Sequence, residues 1–223
     1  MQKFSKNMRQ MLLIGLFISL AAGAAAQTAA KIKLQNPGFG KITLTGNKTR
    51  VTVNLSKDVA GCAFAAAAVK KAFKDCAAGA AEFQLIDATV KNNQTYLLIS
   101  SEAMGNCNVC GRCGASEAFA LIWLKLDRNL QVLDKKSVPI DFCRLDIELV
   151  SDILDFDEET QNETLRLKFA DDILAFDFEK TIFADRTENN SYEFSHFEYN
   201  RKTPEAGFII KTEKRERSSV PER

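Results

Sequence analysis

Three cysteines recur at successive three-residue spacings in Cys107-Asn-Val-Cys110-Gly-Arg-Cys113, and this stretch limits the fold more than any other. Gly105, Gly111 and Gly114 lie around and among them, so the segment reads as a compact, sulfur-rich loop. Cys62, Cys76 and Cys143 lie on either side of it and bring the count to an even six. Whether such a set holds disulfides or a metal depends on the redox compartment.

The N-terminus addresses the compartment. Lys3, Lys6 and Arg9 form a basic region, an apolar run follows from Met11 to Leu20, and small residues end in Ala24-Ala-Ala26. That is the pattern of a cleaved signal peptide over residues 1–26. The apolar run is about 10 to 13 residues, short of the ~20 that span a bilayer as a helix. The expectation is an exported chain, periplasmic or extracellular, with no transmembrane anchor after cleavage. Three basic and no acidic residues leave with the signal, so 30 Lys+Arg against 29 Asp+Glu becomes 27 against 29. A near-neutral chain offers no basic footprint for nucleic acid. In an oxidising compartment six cysteines read first as disulfides.

Residues 27–212 read as a single β-rich domain. Ile42/Leu44 and Val51/Val53/Leu55 alternate around Gly46-Asn47, which predicts a hairpin within 31–57, preceded by a turn at Asn36-Pro37-Gly38. An Ala-rich helix is expected over 58–78. Asp58 would cap it, Cys62, Ala66, Val69, Phe73 and Cys76 would form its inner stripe, and Gly79 would stop it. From residue 82 to 212 the period changes to two. Strands are expected at Phe83–Val90, Thr95–Ser100, Ala118–Leu126, Leu130–Val138 (broken by Pro139), Cys143–Phe156, Leu165–Ala170, Ile173–Lys180, Tyr192–Tyr199 and Phe208–Thr212. Short connections require antiparallel neighbours. The fold class is therefore mainly β (α+β), an antiparallel meander forming a sandwich or an open barrel with the helix packed on it. The charged segment 213–223 reads as a disordered tail.

Six cysteines allow fifteen pairings. Cys62 and Cys76 lie fourteen residues apart, and a continuous helix would separate them by about 21 Å. A disulfide needs Cα atoms within roughly 7 Å. With that pair excluded, complete pairing must tie the helix to the loop by at least one bond. The alternatives are zinc held by Cys107, Cys110, Cys113 and Cys143, or thiol–disulfide exchange at the Cys-x-x-Cys pairs. The zinc reading resembles a zinc knuckle over this loop alone and lacks the two separated pairs of a zinc ribbon.

Other chemistry is sparse. His196 is the one histidine, placed by alternation on a strand face with Phe194, as a hydrogen-bonded or half-exposed side chain. The acidic run Asp155-Phe-Asp157-Glu-Glu159 reads as a hairpin tip and lacks the glycine and spacing of a calcium loop. Asn47, Asn54, Asn93, Asn162 and Asn189 begin glycosylation sequons. No phosphate-cradling glycine loop and no nucleophile elbow are present. The reading is a non-enzymatic, disulfide-stapled binding or structural domain without a resident cofactor. Its partner is an unspecified protein or small ligand. The rival is a metal-binding or redox protein built on the cysteine loop.

Overall fold

The computed structural model describes residues 28–29, 31–38, 40–46, 48–59, 81–104, 117–157, 162–182 and 191–216. Outside them lie residues 1–26 (expected to be a signal segment), Cys62, Cys76, the segment with Cys107, Cys110 and Cys113, Asn47, Asn189, residues 158–161 and residues 217–223. No α-helix occurs among the described residues. The helix expected over 58–78 is described only at Asp58 and Val59. Asp58 closes a turn by donating its N–H to the Leu55 carbonyl. Its carboxylate accepts from Lys135 Nζ at 2.6 Å and Ser137 Oγ at 3.3 Å.

Every strand pairing is antiparallel. A three-stranded sheet comprises β2 (Lys33–Gly38), β3 (Lys41–Gly46) and β4 (Thr49–Asn54), so the expected hairpin is present as β3–β4. The main sheet has nine strands. In chain order they are β1 (Thr28–Ala29), β5 (Glu82–Lys91), β6 (Gln94–Met104), β7 (Glu117–Leu126), β8 (Val132–Phe142), β9 (Ile147–Leu149), β12 (Ile173–Ile182), β13 (Ser191–Asn200) and β14 (Phe208–Glu216). They neighbour one another in that same order. β10 (Leu154–Asp157) and β11 (Asn162–Leu165) pair as a separate two-stranded sheet.

The turns follow from residue chemistry. Asn92 and Asn93 adopt φ of 53° and 60°, and Asp171 and Asp172 adopt 48° and 69°. Asn and Asp tolerate this left-handed region, which two-residue hairpin turns of the primed types require.

β7 shows no alternation, because both of its faces are buried. Ile122, Leu124 and Leu126 join Leu97 and Ile99 of β6 against Ile42, Leu44, Val53 and Leu55 of the small sheet. On the opposite face Phe119, Leu121 and Trp123, with Tyr96 and Leu98, meet Phe176, Phe178, Phe197, Tyr199 and Phe208 from β12–β14. A strand buried on both sides reads as a continuous apolar run. That second core joins the two ends of one sheet. β8 and β9 are linked by the single pair Phe142–Ile147, and there the sheet folds over on itself. The strand order is linear, so the curl stays open.

Polar contacts lock the fold-over. Trp123 Nε1 donates to the Pro204 carbonyl at 2.9 Å, and Lys91 Nζ meets Glu205 at 2.6 Å. Tyr199 Oη donates to Asp87 at 2.8 Å. Burial, followed by the Asp87 charge, raises the Tyr199 pKa above its ordinary value.

Four expectations need correction. β8 runs through Pro139 to Phe142, because a register shift between Phe119 and Ala120 accommodates the proline; a bulge is one of the few places a strand tolerates a residue without an N–H. Cys143–Phe156 is not one strand. It breaks into a 3-10 turn at Cys143–Leu145, the short β9 and the start of β10, with Asp146 at φ 53° turning the chain. Likewise Leu165–Ala170 is β11's last residue followed by irregular chain and a bridge to Ile173. The segment expected to be a disordered tail starts as strand, since β14 continues to Glu216 paired with β13.

Candidate functional site

The first candidate is the rim of the sheet where the cysteine-bearing segments emerge. Glu82 opposes Glu102, Met104 opposes Glu117 and Ala118 opposes Phe142. Hence the start of β5, the end of β6, the start of β7 and the end of β8 lie side by side. With strands about 4.8 Å apart, these four ends span roughly 15 Å. Residues 60–80 enter the sheet at this rim through Ala81, residues 105–116 leave and re-enter it through Met104 and Glu117, and Cys143 follows Phe142. Cys143 is half-buried, and the other five cysteines lie outside the described residues.

Beside the rim, Glu82 and Glu102 line a pocket of about 250 Å³ with Gln84, Ser100, Phe119 and Leu165. Burial, with the facing Glu82 charge, raises the Glu102 pKa. No group of three or more His, Cys, Asp or Glu side chains able to hold a metal occurs among the described residues.

The second candidate is the outer face of β12–β14. Phe176 and Phe178 point into the core, so Asp177 points out, and register sets it opposite His196. His196 Nδ1 lies 2.6 Å from Asp177 Oδ1, with 41% of the histidine side chain exposed. On the other flank His196 opposes Lys211 and Phe194 opposes Glu213. The Arg215 guanidinium lies 3.7 Å above the Phe194 ring and pairs with Glu213. Asp177, Phe194, His196, Lys211, Thr212, Glu213 and Arg215 line an open depression of about 500 Å³. Thr212 Oγ1 shares a 2.9 Å hydrogen bond with Ser195. A fixed imidazole, a lysine amine and an arginine stacked on an aromatic ring can hold polar ligands reversibly.

The half-exposed, hydrogen-bonded state expected for His196, and its shared face with Phe194, are present. Asp177, Lys211 and Arg215 were not singled out in the sequence. Alternation alone turns them outward, but only register shows that they surround the histidine. Asp155 and Asp157, expected at a hairpin tip, lie within strand β10, and Glu158 and Glu159 lie outside the described residues. Of the sequon asparagines, Asn54 is exposed on β4 and its Oδ1 accepts the Ser56 N–H, while Asn93 occupies the exposed β5–β6 turn. No helix among the described residues is long and apolar enough to cross a membrane.

Compared with family models, curated proteins and solved structures, the chain finds no significant match.

Proposed function

We propose that this is an exported, non-enzymatic binding or structural domain, periplasmic or extracellular, whose cysteines staple the 58–78 segment and the 105–116 loop to one rim of the sheet. The observation that supports the reading is that Ala81, Met104, Glu117 and Phe142, which border the cysteine-bearing segments, lie along that rim. Cys143 follows the residue opposite Ala118, and Cys113 precedes Glu117 by four residues, a reach of about 14 Å in extended chain. Cys107 follows Met104 by three residues. A loop cysteine is therefore the natural partner of Cys143, and a Cys113–Cys143 bridge would close a ring worth about 3 to 4 kcal/mol in the chain-entropy model. Cys62 and Cys76, on the expected helix, then take the remaining loop cysteines.

The ligand-facing surface in this proposal is the depression around His196. It offers an oriented imidazole and cations, a set suited to holding a protein or small polar ligand.

Intact mass with and without alkylation tests the framework. Six hydrogens lost, no alkylation before reduction and no bound zinc support it. Free thiols confined to Cys107, Cys110 and Cys113, or one equivalent of zinc, would replace it with the metal or redox alternative.

A further inference from the structure

β14 is the last strand of the nine-stranded sheet, and among the described residues no strand lies on its outer side. Such an edge presents unpaired backbone donors and acceptors to any matching strand. Lys211 through Arg215 are exposed, and Ile209 is 48% exposed. Glu213 pairs with Arg215, whereas Lys211 makes no ion pair among the described residues.

We propose that β14 pairs antiparallel with β14 of a second copy about a two-fold axis through Thr212. Phe208–Glu216 is centred on Thr212, so this register aligns the whole strand. Lys211 then opposes Glu213 of the second copy, and the two-fold repeats the pair. Ile209 opposes Arg215 of the second copy and lies along its aliphatic stem. All of these lie on the His196 face, because Lys211 and Glu213 flank His196 and Phe194 on β13. Shifting the register by two residues, the smallest step that keeps each side chain on its own face, stacks Lys211 on Lys211 or Glu213 on Glu213. Like charges directly opposite are unfavourable, so the charge pattern selects the centred register. Such a self-complementary patch is what an isologous dimer requires. The dimer joins two sheets into one and sets two His196 depressions side by side. The inference is independent of export and of the disulfide framework.

Sedimentation equilibrium of the purified, oxidised protein, with circular dichroism confirming that each variant folds, provides the test. The expected result is a monomer–dimer equilibrium whose dissociation constant rises about tenfold or more in K211E and in E213K. The double reversal K211E/E213K restores opposite charges across the axis and returns the constant to within about threefold of the original. A register check uses cysteines. Thr212→Cys faces its own copy and forms a disulfide-linked dimer, whereas Ile209→Cys lies about 20 Å from its counterpart and does not. A protein monomeric at every accessible concentration overturns the proposal. So does a dimer indifferent to the single reversals, a double reversal that fails to recover, or equal cross-linking at both positions.

Discussion

Asp87 shows how one residue's position is set by an insertion of one residue. Leu85 opposes Ile99, but Asp87 opposes Leu98, leaving Ile86 as the extra residue of a bulge. In regular pairing Asp87 would oppose Leu97 and point into the apolar core beneath the small sheet. The bulge turns it to the other face, where it accepts from Tyr199 and Thr89 and lies 3.6 Å from Arg201. Tyr199→Phe removes one donor from this buried carboxylate. The expected loss is about 1 to 3 kcal/mol by denaturant titration. Gly207 is a second constrained position. At φ 69° and ψ −154° it occupies a region open essentially to glycine, and an added Cβ would stand 3.4 Å from the Trp123 ring. Gly207→Ala should cost about 1 to 3 kcal/mol in strain. Glu102 carries a pH dependence. Its folded pKa is raised by burial and by Glu82, so the folded state prefers it protonated. Stability from this group is fully present below the unfolded pKa and is lost as pH rises through the folded one. Glu102→Gln should therefore stabilise the protein at neutral pH, by up to about 1 kcal/mol for a directly opposed like-charge pair. The gain should vanish below about pH 4, where an ordinary glutamate is protonated.

At the level of elements, the strands that alternate and the turns at Asn92-Asn93 and Asp127-Arg-Asn129 could be read from sequence, because period two and Asn/Asp turn chemistry are local signals, although in the second turn it is Leu130 that takes the left-handed φ of 61°. β7 could be read as a strand but not as the middle layer, since burial on both faces removes the alternation that would indicate a side. Pro139 misled because the bulge that accommodates it is a property of the pairing with β7. Glu213–Glu216 looked like a solvated tail because edge strands carry charges that interior strands exclude. The Asp177–His196 contact was invisible for the same reason as the bulge: it is a matter of register. The second core depends on the contact of β12–β14 with β6–β7. Phe197→Ala, at the centre of that contact and stacked 4.7 Å from Phe176, should cost about 3 to 5 kcal/mol in chemical unfolding.

For the whole molecule, one antiparallel sheet folds about the narrow β8–β9 joint and is clasped by Trp123–Pro204, Asp87–Tyr199 and Lys91–Glu205. The cysteine rim lies at the β8 end that leads into that joint. Disulfides there would hold the chain excursions to the sheet and restrict the unfolded ensemble. Non-reducing peptide mapping of the oxidised protein by mass spectrometry tests this directly. The account predicts Cys143 bonded to one of Cys107, Cys110 and Cys113, with Cys62 and Cys76 each bonded to another of the three. A Cys62–Cys76 bond, with the loop and Cys143 closed among themselves, would contradict it.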